Sequence, residues 1–301
     1  MTEERYKPVP GTPRAAATVV LLRDVDHDVD CNPGVGSGLE VFLVRRHSQS
    51  AVLGGAYVFP GGKVDAADAT LDAARHFDAT AVELHAALAE NEIDVPTAAS
   101  IYVAAVREAF EECGVLLAHG VAEEAVLQAV ALERNGQKTF SEVLAQFELK
   151  LSTRLIVPWS RWITPTISVM SKRFDTRFFV AALPLGQIAL HDQHETDQSV
   201  WVAPRAALER YWSGEFELAP PQIMTLAHLA RHHSVASVLA AARARRPPLI
   251  QPEPFEQDGE RCVCYPGDQR HPLREAAMPG PSRLWYRKGR FEPAGGLNDL
   301  F

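Results

Sequence analysis

Between Arg107 and Val115 the chain reads Arg-Glu-Ala-Phe-Glu-Glu-Cys-Gly-Val, and this stretch limits what the chain can fold into more than any other. Glu108, Glu111 and Glu112 stand at i, i+3 and i+4, so their carboxylates leave one face of a helix. Val103, Val106, Phe110 and Cys113 recur at spacings of three, four and three and give that helix an apolar face on its other side. Pro96 is placed near its start and Gly114 at its end. Like charges packed this closely weaken a bare helix by a few tenths of a kcal/mol per pair. A hard divalent cation with oxygen ligands turns the repulsion into coordination, and Mg²⁺ is the usual one beside phosphates. The plainer reading is a solvated acidic face. Against it stand the Phe59-Pro60-Gly61-Gly62 turn upstream and the arginine directly before the first acid.

Around that helix the pattern alternates strands and helices. Residues 15–23 and 39–46 are β-branched apolar runs joined by an Asp/Gly/Pro-rich loop, and 56–59 forms a short strand that Pro60-Gly61-Gly62 breaks. The Ala-rich, acidic segment 69–95 predicts surface helix. Further strands are expected at 174–183, 199–202, 261–265 and 283–286, and a helix at 222–232.

At 301 residues and 47% hydrophobic, the chain can bury a full core. A net charge of −8 argues against a general nucleic-acid binder, but not against an anionic small substrate, since a bound cation inverts the local sign. The first fourteen residues lack an apolar signal region, no stretch approaches the roughly 18 apolar residues of a membrane span, and the Asp-Leu-Phe end is not a peroxisomal address. Cys31, Cys113, Cys262 and Cys264 are too scattered for a disulfide framework. A cytoplasmic protein without membrane or nucleic-acid partners is expected.

The chain resembles the Nudix hydrolases. Their box reads glycine, five residues, glutamate, seven residues, then Arg-Glu-aliphatic-any-Glu-Glu-any-Gly-aliphatic. Here Gly62 opens it, Asp68 stands for the first glutamate and Ala109 for the first aliphatic residue. The arginine due at position 76 arrives at 107, after an insertion of 31 residues. This split box, with Lys172-Arg173-Phe174-Asp175-Thr176 and the segments 55–68, 105–117 and 218–222, is similar to the animal peroxisomal coenzyme A diphosphatases, the nucleoside-diphosphate-linked moiety X motif 19 group. Arg46 and Phe59-Pro60-Gly61-Gly62 also match a coenzyme A signature of other Nudix enzymes, whose second arginine is Ala51 here.

The resemblance implies an α/β fold: a Nudix α/β/α sandwich with a mixed central sheet, a helical insertion in the box and a C-terminal extension. The expected layout is a tail to residue 14, the Nudix domain at 15–245 with the insertion at 69–95, and an extension at 246–301 packed on it. It implies Mg²⁺ or Mn²⁺ held by Glu108 and Glu112 with Glu111 assisting, Arg107 orienting the glutamates, and Gly61 or Gly62 lending a carbonyl. Glu195, in the polar loop before Val200-Trp201-Val202, is the candidate general base, with Glu209 and Glu217 as stand-ins. Arg46, Lys63 and Arg173 are candidate substrate contacts, and Lys172 and Arg177 are weighed beside them for phosphate. The activity implied is metal-dependent hydrolysis of coenzyme A or an acyl-CoA to 3′,5′-ADP and a 4′-phosphopantetheine product. Alternatives are another nucleoside diphosphate derivative, such as ADP-ribose or a dinucleotide, and a Nudix-fold ligand sensor without catalysis. A homodimer is compatible with the sequence.

Several features are set aside. His228 and His232 at i, i+4 read as helix-surface histidines, and Arg243, Arg245 and Arg246 as a solvated helix end. Trp159 and Trp162 are core or pocket wall. Cys262 and Cys264 are C-x-C, not the C-x-x-C of a zinc ribbon, and a strand would point both to one side.

Overall fold

A run such as Ala15-Ala16-Ala17-Thr18-Val19-Val20-Leu21-Leu22 has no polar side to show water, so a strand built from it must be covered on both faces. In the computed structural model, which describes residues 6–25, 38–50, 53–168, 171–192 and 195–301, that is its setting. The strand Arg14–Val25 lies inside a mixed eight-stranded sheet. Ala17, Val19 and Leu21 enter one core, and Val20 and Leu22 the other. Cys31, Ala51 and most of the loop 24–38 lie outside the described residues.

Arg14–Val25 runs parallel to Phe174–Ala182 along its length, and Val157–Ile163 and Leu249–Ile250 follow outward. On its other side its partner changes. Its far half pairs with Gly38–Arg46 and its near half with Gly61–Lys63. The expectation that Pro60-Gly61-Gly62 only breaks a strand is thus corrected. Tyr57–Val58 does end there, but Gly61–Lys63 is a strand in its own right. Gly61 permits it by close approach, since a Cβ there would stand 2.4 Å from the Ala17 carbonyl oxygen. Thr196–Val202 completes this side against Gly38–Arg46 and begins three residues earlier than its apolar part suggests.

One face is covered by the helix Val95–Cys113, the box helix. The Asp94 side chain caps its start by accepting from the Thr97 N–H, Pro96 lies in its first turn, and Gly114 ends it at φ 67°. Val103, Val106, Phe110 and Cys113 are buried as the spacing requires. The inserted segment forms Ala73–His76 and Ala81–Leu88. It is not confined to the surface as expected, because Phe77, Leu84 and Leu88 are buried in the same core. Its far end is anchored where Arg177, 3% exposed, donates to both oxygens of Glu90, with Arg161 and Asp175 completing the ion cluster. Arg177 therefore ties the insertion to the sheet and is not available to phosphate.

Helices Pro204–Ser213, Pro220–Leu229 and Val235–Arg243 cover the opposite face. The helix expected to reach residue 232 stops at Leu229, and His228 is no surface histidine: its ring lies 4.5 Å from that of Trp159, a core residue like Trp162. Nor is Arg245 solvated, as it stacks over Trp159 and donates to its carbonyl at 3.0 Å. Beyond them Glu253–Gln257, Glu260–Cys264, Arg283–Arg287 and Arg290–Glu292 form an antiparallel meander. Val263 and Leu284 enter the second core, and Cys262 and Cys264 are buried from the other side of the meander. Among the described residues no helix is long and apolar enough to cross a membrane.

Candidate active site

The last two turns of the box helix lie against Gly61–Lys63, and four contacts join the two halves of the split box. The Gly61 N–H donates to Glu112 Oε2 at 2.9 Å. Glu108 rests against Gly62, where a Cβ would stand 2.4 Å from its Oε1, so only glycine leaves room for the carboxylate. Arg107 donates to both oxygens of Asp68 at 2.8 and 3.0 Å. Its remaining N–H groups reach the Lys63 carbonyl at 2.9 Å, Glu108 at 2.9 Å and Glu111 at 2.8 Å. The insertion leaves after Asp68 and returns at the start of the box helix without coming between these partners. Asp68 is itself fixed by the Asp65 N–H at 2.7 Å, and Asp65 lies 3.9 Å from Arg107. Asp65 is not among the residues that the box pattern singles out. Its signal was the Asp-x-x-Asp spacing of a capping box, which the short helix Ala66–Thr70 uses.

Electrostatically this is a place where negative charge is uncomfortable. Burial, and then the charge of Glu108, push the Glu112 carboxyl up to about 8, against the pull of the Gly61 N–H and Arg46. Burial likewise raises Glu108 to about 7, with Arg107 opposing and Glu111 and Glu195 adding to the rise. Glu111 is raised by burial, with Arg107 opposing. Burial works against the charge on Arg107, but its hydrogen bonds to Asp68 and the fields of Glu108 and Glu111 carry it above the ordinary arginine range.

As the side chains stand, no three His, Cys, Asp or Glu among the described residues are gathered about one point to hold a metal ion. Arg107 engages Glu108 and Glu111, and the Gly61 N–H engages Glu112. The donor set nevertheless fits a hard divalent cation: every side-chain donor is a carboxylate oxygen, and a dication relieves the repulsion between two desolvated neighbours one turn apart.

Glu195 stands immediately before the strand Thr196–Val202. The Asp192 side chain accepts from its N–H at 3.1 Å, and its own carbonyl accepts from the His47 N–H at 2.9 Å. Its carboxylate is well exposed, lies 3.8 Å from Arg46, and raises both Glu108 and Glu112, so the fold brings it to the cluster. Arg46 keeps a buried Nε with no partner among the described residues. Lys63 lends its carbonyl to Arg107 and has an exposed side chain. Arg173 is engaged elsewhere, on the carbonyls of Thr164 and Gly11. Glu209 pairs with Arg205 on the helix Pro204–Ser213. The Glu217 carboxylate lies beside the Gly54-Gly55 turn, 3.8 Å from where a Gly55 Cβ would stand.

A family model described as the NUDT19 Nudix domain matches residues 13–229, which takes in the split box, seven of the eight strands of the sheet and Glu195. The chain belongs to this family of Nudix hydrolases. Two relatives of this NUDT19-type chain share the family. The human acyl-coenzyme A diphosphatase NUDT19 is 28% identical over 271 residues, covering 77% of this chain and 72% of that protein. The Gallus gallus protein of the same name is 29% identical over 263 residues, covering 74% and 69%. Among solved structures, a Nudix hydrolase from Alicyclobacillus acidocaldarius superposes with a TM-score of 0.57 at 29% identity, covering 78% of this chain and 97% of that one. The Nudix α/β fold and its mixed sheet are shared with it, and the meander after residue 250 lies beyond the matched family domain.

Proposed function

We propose that this Nudix hydrolase cleaves the diphosphate of coenzyme A or an acyl-CoA, releasing 3′,5′-ADP and a 4′-phosphopantetheine product. The observation that carries the hydrolysis is the union of Glu108 and Glu112 with Gly61 and Gly62 across the insertion. Kinship with two acyl-coenzyme A diphosphatases over three-quarters of the chain supports the substrate. Glu108 and Glu112 would hold Mg²⁺ or Mn²⁺, with Glu111 assisting. When bound, the ion neutralises diphosphate charge and makes a water more acidic.

The rest falls to the chain itself. Arg107, fixed by Asp68, sets the rotamers of Glu108 and Glu111. Glu195 takes the proton of the attacking water as its oxygen bonds to phosphorus and the bridging P–O bond breaks. Arg46 offers the outer N–H groups of its part-exposed guanidinium to the diphosphate, and the exposed Lys63 side chain takes a second phosphate oxygen. Ala51, in place of the second signature arginine, favours a second reading in which another nucleoside diphosphate derivative is cut by the same groups. Turnover of coenzyme A, decanoyl-CoA, ADP-ribose and a diadenosine polyphosphate with Mg²⁺ or Mn²⁺, products resolved by mass, tests the proposal. Release of 3′,5′-ADP from the first two is expected. Cleavage of ADP-ribose or the dinucleotide at least tenfold faster would overturn it in favour of the second reading.

A further inference from the structure

A general base outside the box helix must be held as firmly as that helix, because a displacement of about 1 Å at a reacting group costs on the order of 10²-fold in rate. Both peptide planes that flank the Glu195 Cα are fixed. The Asp192 carboxylate accepts from the Glu195 N–H through Oδ2 and from the Thr196 N–H through Oδ1, each at 3.1 Å. The Glu195 carbonyl accepts from the His47 N–H at 2.9 Å. Since a peptide unit is planar, holding the one before and the one after the Cα leaves Glu195 only its side-chain torsions. A third donor, the Thr196 hydroxyl, reaches Asp192 Oδ1 at 2.8 Å, and Thr196 is 1% exposed.

The same segment is tied to the sheet and to the box helix. Arg45 stands opposite Gln198 but Arg46 opposite Thr196, so Asp197 is the extra residue of a bulge, and the Arg45 guanidinium holds it at 2.7 and 3.0 Å. Without the bulge Asp197 would oppose Arg46 and Thr196 would oppose His47. On the other side of Asp192, the Leu190 N–H donates to the carbonyl of Cys113, the residue after Glu112, at 3.1 Å.

We propose that Asp192 is a positioning residue for the hydrolysis, its carboxylate setting the backbone from which Glu195 reaches the attacking water. The inference rests on the reading of Glu195 as the base. Asp192 does not take that role itself, because its two oxygens already accept from three donors. Nor can an amide replace it. An asparagine has one acceptor oxygen, and its NH₂ group would face the N–H of either Glu195 or Thr196, donor against donor.

The test compares kcat and KM of the wild type, Asp192→Asn, Glu195→Gln and the double variant, with Mg²⁺ and whichever of coenzyme A and ADP-ribose the wild type cuts faster. Asp192→Asn should lower kcat by roughly 10–10²-fold and leave KM within about threefold. In the Glu195→Gln background the same substitution should cost less than about threefold, because a disabled base gains nothing from being well placed. Asp192→Glu keeps the charge but moves it by one methylene, and it should not restore turnover. Thr196→Val removes one donor at nearly constant volume. It should lower kcat by a smaller factor, again only with Glu195 intact, and it carries the test should Asp192→Asn fail to fold. Equal losses in both backgrounds would show a general structural role and overturn the positioning of Glu195. So would near-normal turnover by folded Asp192→Asn, full activity in Asp192→Glu, or recovery of Asp192→Asn with added Mn²⁺. In each of these cases a crippled Glu195→Gln leaves the base reading standing. Near-normal turnover by Glu195→Gln removes that reading, and the role of Asp192 with it.

Discussion

Glu112 is held where a carboxylate is least at home, 4% exposed and beside a second carboxylate, so its charge serves what it binds and not the fold. Glu112→Gln keeps the shape, and its amide oxygen can still accept from the Gly61 N–H. It should therefore fold with a native circular dichroism spectrum and lose at least two orders of magnitude in kcat. A folded variant keeping more than a tenth of wild-type turnover would sink the proposed role. Glu195 differs: it is exposed, tied through its backbone and 3.8 Å from Arg46, and its charge acts on both Glu108 and Glu112. Glu195→Gln should lower kcat by roughly 10²–10⁴-fold with a smaller change in KM, and added Mn²⁺ should not restore it. Rescue by Mn²⁺ would make it a ligand instead, and near-normal turnover would discard both roles and turn attention to Glu217. The register of Glu108, Glu111 and Glu112 was legible because helix geometry fixes it from spacing alone. The engagement of Arg173 with Thr164 and Gly11 was not, since it depends on where two distant segments meet.

Among the elements, the Gly61–Lys63 strand is one that sequence pattern hid. Three residues with two glycines carry no alternation to read, and what makes them a strand is the room they leave for their neighbours. The two glycines answer to different neighbours, which separates stability from activity. A Cβ on Gly61 would press on the Ala17 carbonyl, so Gly61→Ala must shift backbone and should cost about 1–3 kcal/mol of stability. A Cβ on Gly62 would instead press on the Glu108 carboxylate, an end that can swing away. Gly62→Ala should unfold at nearly the wild-type denaturant midpoint yet lose at least tenfold in kcat, because Glu108 is displaced. Denaturant melts and turnover of the two variants side by side check this, and the opposite pattern would refute the assignment of Gly62 to the carboxylate. Strands rich in β-branched residues and the box helix, with its Pro96 start and Gly114 stop, were readable from local chemistry. The burial of the insertion was not, because its few apolar positions, Phe77, Leu84 and Leu88, are diluted among alanine and acid.

At the scale of the whole molecule, one sheet carries two unlike layers: a catalytic side under the box helix and an opposite side closed by three helices and the meander. The opposite layer holds its own buried polar cluster, which the sequence read as surface because i, i+4 histidines and a basic run usually are. His228 is packed on Trp159, and burial, followed by the nearby charge of Arg245 and His232, lowers its pKa to about 3. The ring is thus neutral in the folded chain through the range where an unfolded histidine, near 6.5, gains a proton. Between those two values the unfolded state binds the extra proton, so stability is fully present above about 6.5 and declines as pH falls towards 3. The loss is on the order of a few kcal/mol. His228→Phe keeps a ring against Trp159 and removes the titration. Carboxylates titrate in the same window, so the informative quantity is the difference between the two proteins. Urea unfolding at pH 7.5 and pH 4.5 should show the wild type losing more stability than His228→Phe, and equal losses in both proteins would mean that His228 is protonated in the folded state.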